Sequence, residues 1–78
     1  MALSGGIWRE SMSDKEKIGF IQGVVYSCGH LAADCDEPAM ACDLWNQTGF
    51  THQDAKFASE YDLAKFRKAI PGLPKGIK

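Results

Sequence analysis

The residues of this chain best able to do chemistry are Cys28, His30, Cys35, Cys42 and His52. Zinc would need four deprotonated sulfur or nitrogen ligands converging on one point. The first four are spaced C-x-H-x4-C-x6-C. No pair among them has the C-x-x-C spacing that brings two ligands to a metal from one turn. Cys28 also falls on the apolar stripe of a helix, where a free cysteine behaves as a small hydrophobe. We expect no metal and no cofactor. A Cys–His nucleophile needs its thiolate within hydrogen-bond reach of a base. Cys35, in a turn before a helix, is the most accessible thiol, with His30 or His52 as the base. The sequence offers no oxyanion hole and no third group to orient the histidine. Asp34 and Asp36 are a carboxylate pair, but they sit in a turn where capping accounts for them. No catalytic residues are assigned, and the chain is not expected to be an enzyme.

Two further patterns bear on phosphate. The helices around Gly49 have the outline of a helix-turn-helix, whose second helix should present basic and amide side chains. This one offers His52, Gln53 and Lys56 beside Asp54, within an acidic stretch that repels phosphate. Lys65, Arg67 and Lys68, opposite Leu63 and Phe66, make the better phosphate contact. A nucleic-acid-binding regulator using those three bases is the alternative reading of the chain.

All of these residues depend on helices for their placement. Ser13-Asp14-Lys15-Glu16 is a capping box that opens a long helix over residues 13–33. Ile18, Ile21, Val25, Cys28 and Ala32 recur at helical spacing, and Phe20, Val24 and Leu31 widen the stripe. Asp36 has the character of an N-cap, with Pro38 tolerated in the first turn. A second helix follows over 37–48, with Ala41, Leu44, Trp45 and Thr48 on one face. Gly49 ends it in a left-handed conformation, and Phe50 folds back. Thr51 and Asp54 cap a short helix over 52–59 that buries Phe57. Ser59 and Asp62 start a helix over 60–70 with Leu63, Phe66 and Ile70 as its core face. Pro71-Gly72 stops it, and 71–78 is a tail. Residues 1–12 are an irregular arm with Trp8 as its anchor. No alternating run is long enough for a strand. The expected fold is an all-α compact bundle of three to four helices forming one domain over 1–78.

Composition sets the remaining bounds. A 78-residue chain with 45% apolar residues can fold. A domain this small buries only roughly 60% of its unfolded surface, so an oligomer or a partner would relieve its marginality. The net charge is −1, but the charges are segregated. Asp34, Asp36, Glu37, Asp43, Asp54, Glu60 and Asp62 face only Lys56 within the middle of the chain. Lys65, Arg67, Lys68, Lys75 and Lys78 follow with no acid among them. Three cysteines are an odd number, and the N-terminus lacks the apolar core of a signal peptide. The expectation is a reduced, cytoplasmic chain. Ile18–Ala33 is too short to span a bilayer, so no membrane association is expected.

The strongest hint of function is a face of the first helix that carries no charge. At about 100° per residue, Gly19, Gln22, Gly23, Tyr26 and His30 lie opposite the apolar stripe. Ionised residues stop at Lys17 and resume at Asp34. A solvated face normally carries Lys and Glu. A tyrosine among glycines on an uncharged face is the composition of an interface centre. These five residues are the expected partner-binding site. The partner is either a protein target or a second copy of the chain in a homodimer.

In overall manner the chain resembles small accessory proteins encoded by bacteriophages. The resemblance spans Asp36–Ile70. It rests on Asp36-Glu37-Pro38 before a short helix, Gly49-Phe50-Thr51 between helices, and Glu60-Tyr61-Asp62-Leu63 opening the last one. Many such proteins bind and block a host protein, anti-CRISPR and other anti-defence inhibitors included. The resemblance therefore implies an inhibitor of a host protein, acting in the cytoplasm of a bacterial host. These proteins share no signature, so no functional residue is carried over.

Overall fold

The computed structural model describes residues 13–77. The expected arm over 1–12, with Trp8, and the terminal Lys78 lie outside the described residues. Three α-helices follow in order: α1 over Asp14–Gly29, α2 over Pro38–Thr48 and α3 over Glu60–Phe66. A π-helical turn, His30–Asp34, extends α1, and a 3-10 turn, Asp54–Phe57, precedes α3. Among the described residues there is no strand, only an isolated parallel bridge between Ser59 and Ile77. The fold is all-α.

Local signals set most of the ends. Glu16 N donates to Ser13 Oγ at 3.2 Å while Ser13 N donates to Glu16 Oε1 at 2.9 Å, the two halves of the capping box. Gly49 closes α2 at φ 77°, a left-handed position that costs glycine nothing. Thr51 and Asp54 exchange bonds of 2.9 and 3.2 Å ahead of the 3-10 turn. Ser59 Oγ accepts from Asp62 N at 3.1 Å to start α3.

Four expectations need correction. The long helix is α-helical only to Gly29, and the amide of Cys35 then reaches the carbonyl of His30, five residues back, at 3.0 Å. Asp36 caps nothing. It occupies the left-handed region at φ 54°, which short polar side chains tolerate, and Glu37 stands at the N-cap without a side-chain bond. The helix placed over 52–59 is a single 3-10 turn. The last α-helix stops at Phe66 rather than residue 70, with non-helical turns following it.

The core is continuous across all three helices. Ile21, Val25 and Cys28 come from α1, Ala41 and Trp45 from α2, and Leu63 and Phe66 from α3. Trp45 is the hub, with Phe50 and Phe66 rings each 5.6 Å from its own. Buried Thr48 is fully partnered: its hydroxyl donates to Trp45 O at 2.7 Å and accepts from Phe50 N at 3.1 Å. Ile70 and Phe57 only flank this core, half-buried. Phe20 and Leu44 stand at its edge, 43% and 37% exposed, rather than inside the stripes where their spacing put them.

The C-terminal segment docks instead of trailing. Leu73 is buried. Arg67 grips Glu60 through both terminal nitrogens at 2.6 and 2.9 Å, and donates to the carbonyl of Pro74 at 2.8 Å. Glu60 Oε1 accepts from Gly76 N, and the amide of Ile77 donates to Ala58 O at 2.8 Å. A Cβ on Gly76 would meet Ala58 O and the Leu63 side chain, so only glycine lets the strap lie this close. The Arg67 guanidinium, followed by the Gly76 amide, holds the Glu60 carboxyl down at about 2. A carboxyl lowered on folding stabilises above its unfolded value, near 4.5, and that contribution fades as pH falls toward 2. Glu60→Gln should therefore melt below wild type at pH 7, and the gap should close between about pH 4.5 and pH 2. A gap that stays constant across that range would show that the latch is not electrostatic.

Candidate functional site

The uncharged face of α1 is exposed at each position singled out in the sequence: Gly19, Gln22, Gly23, Tyr26 and His30. Tyr26 is 62% exposed. The glycines divide into two kinds. A Cβ on Gly29 would come within 2.8 Å of the Asp62 carbonyl, so Gly29 is needed for α1 to touch α3. A Cβ on Gly19 or Gly23 would meet no described residue within 4 Å. The packing of the described residues does not require those two glycines, although each costs a helix about 1 kcal/mol relative to alanine.

The five residues do not form one uniform strip. Gln22 turns toward the 3-10 turn, where its amide donates to Phe57 O at 3.1 Å. His30 Nδ1 lies 3.0 Å from Asp34 Oδ2. The π turn brings that pair against α3, where Lys65 Nζ reaches the same oxygen at 3.0 Å. Lys65, followed by His30, holds the Asp34 carboxyl below the usual range, and Asp34 in turn raises the Lys65 ammonium. Gly19 and Gly23, with Phe20, Val24 and Ser27, line an open apolar groove whose other wall is Leu44 of α2. Met40, 55% exposed, stands one turn before Leu44. The sequence pattern missed this groove. It treated Phe20 and Leu44 as interior residues, whereas they form its two sides.

The bases proposed for phosphate are differently placed. Lys65 pairs with Asp34, and its ammonium lies 5.0 Å from the Tyr61 ring centre. Arg67 is committed to Glu60 and the C-terminal strap. Lys68 is exposed and makes no ion pair among the described residues. Segregated charge in the sequence thus becomes paired charge in the fold. The acidic middle meets the basic end through Asp34–Lys65 and Glu60–Arg67. The helix-turn-helix outline also fails on length, because a four-residue 3-10 turn cannot lie along a groove of DNA.

The thiols are scattered by burial. Cys28 is enclosed, Cys42 is half-buried and Cys35 is exposed. Burial, with a smaller contribution from Cys42, pushes the Cys28 thiol up to about 11. The Cys28 and Cys42 sulfurs donate to backbone carbonyls of Ala41 and Ala69. Among the described residues no three His, Cys, Asp or Glu side chains are placed to hold a metal ion. A thiol reagent should label Cys35 first and Cys28 last under native conditions. Peptide mapping of the labelled protein checks this, and early labelling of Cys28 would contradict its burial. No described helix is long and apolar enough to cross a membrane.

The sequence matches no protein-family model, no curated protein and no solved structure.

Proposed function

We propose that this chain is a small protein-binding domain without catalytic activity, and that α1 carries its binding surface. The observation that supports this reading is the pair Gly19 and Gly23. Both weaken α1, and neither is crowded by any described residue. A glycine face that the packing of the described residues does not need is what a second backbone needs for close approach. Tyr26 beside it supplies an aromatic anchor, the residue type most often dominant in binding energy. The absence of charge from Ile18 to Ala33 allows that surface to be desolvated cheaply. The partner is a protein, either a target or a second copy. In the bacteriophage reading the target is a host defence protein and binding blocks it.

The test is capture of partners by tagged wild-type protein from a bacterial lysate, in parallel with Tyr26→Ala. Tyr26 is exposed, so its truncation should leave the melting temperature within a degree or two of wild type. A specific partner should be retained by wild type and lost by Tyr26→Ala. Partners held equally by both proteins would place the binding surface elsewhere.

A further inference from the structure

The interface between α1 and α2 carries two of the three cysteines. Cys28 sits at the buried end of α1, and its sulfur donates to the carbonyl of Ala41 at 3.5 Å. That carbonyl oxygen and the Cα of Cys42 belong to one planar peptide unit, so the Cα of Cys42 lies within about 6 Å of the Cys28 sulfur. Cys42 is half-buried at the rim of the same contact, and its sulfur rests against Ala69 O at 3.7 Å. Both contacts are weak sulfur hydrogen bonds. To meet Cys28, the Cys42 sulfur must leave Ala69 O by a step of χ1 to another staggered well. Cys35 is exposed.

We infer that Cys28 and Cys42 are placed to close an intramolecular disulfide that clamps α1 to α2 when the chain meets a peroxide. The step balances in two stages. The Cys42 thiolate attacks a peroxide oxygen; an S–O bond forms, the O–O bond breaks and, for hydrogen peroxide, water leaves. The Cys28 thiolate then attacks the Cys42 sulfur; the S–S bond forms, the S–O bond breaks and hydroxide leaves, taking up a proton as water. Two thiols lose two electrons, and one peroxide gains them. Cys42 reacts first because it is the more accessible of the two. Cys28 is the slow, resolving partner, since its enclosed thiol ionises only near 11. The clamp lies one turn beyond Val24 on α1 and two residues before Leu44 on α2, so it fixes the walls of the apolar groove. It does not depend on what α1 binds.

The experiment uses the full chain with the exposed thiol removed, Cys35→Ser, treated with hydrogen peroxide. Cleavage on the amino side of Asp34 and Asp36 should then leave the Cys28 and Cys42 fragments joined, two hydrogens lighter than their sum, until a reductant separates them. The joining rate should keep climbing toward about pH 11 rather than levelling near the ordinary thiol value of about 8.5. The oxidised protein should melt several degrees above the reduced one. Cys42→Ser on the same background should give no joined fragments. Cys42 carried to sulfinic acid with Cys28 still free would overturn the inference. So would linkage only between chains, because either outcome means that the two sulfurs do not meet within one fold.

Discussion

Phe66→Ala should destabilise the domain by about 3–5 kcal/mol, which at this size leaves it largely unfolded at room temperature. Phe66 is fully enclosed and stands 5.6 Å from the Trp45 ring at an interplanar angle of 74°, an edge-to-face contact. Its truncation removes the aromatic contact and leaves a cavity where α3 meets α2. The surrounding atoms have little room to collapse, because Gly29 already sets α1 against the backbone of α3. Relief by an inward shift of α3 would drive the Asp62 carbonyl into α1. Chemical denaturation followed by Trp fluorescence measures the effect. A cooperative transition at the wild-type midpoint would refute the core assignment. Phe57→Ala is the internal comparison. Phe57 is half-buried and only flanks the core, so its truncation should cost clearly less.

The features legible in the sequence were those that a few adjacent residues decide. Ser13 with Glu16, Thr51 with Asp54, Ser59 with Asp62, and Gly49 each specify a helix end through bonds spanning at most three residues. Helical spacing then identified Val25, Trp45, Leu63 and Phe66 as interior, and all four are buried. Several of the misses share a physical cause, dependence on contacts far apart in the chain. Phe20 has the spacing of a core residue, yet it meets Phe50 at 5.9 Å on the edge of the core. The wide turn after Gly29 accompanies the close fit of that glycine on α3, about thirty residues later. Arg67 looked like part of a basic face because nothing local shows that Glu60 and the carbonyl of Pro74 converge on it. The uncharged face of α1 was legible in a different way. Missing charge on a helix is a composition signal, and it survives whatever the helix packs against. The groove beside it was not legible, because its second wall comes from α2.

Gly23→Glu should raise the stability of the chain and abolish its binding, and the opposed signs are what make the substitution decisive. Gly23 lies in the middle of α1, where glutamate is a far better helix former, by somewhat less than about 1 kcal/mol. No described residue lies within 4 Å of a Cβ at this position, so the new side chain has room and the melting temperature should rise. Gly29→Ala supplies the contrast: its Cβ would press on the Asp62 carbonyl at 2.8 Å, and the melting temperature should fall. Binding responds to a different term. If a second polypeptide rests on Gly19 and Gly23, the glutamate carboxylate is driven into a desolvated contact with nothing to pair with. Leaving a charge unpaired in an interface costs about 2–5 kcal/mol, so affinity should drop about 30-fold or more. A homodimer would suffer doubly, because two-fold symmetry brings the substitution into the contact from both copies. Sedimentation of wild type and Gly23→Glu over a concentration range reads self-association, and titration of a captured target reads the other kind of partner. Higher stability with unchanged association and unchanged target binding would remove α1 from the binding surface.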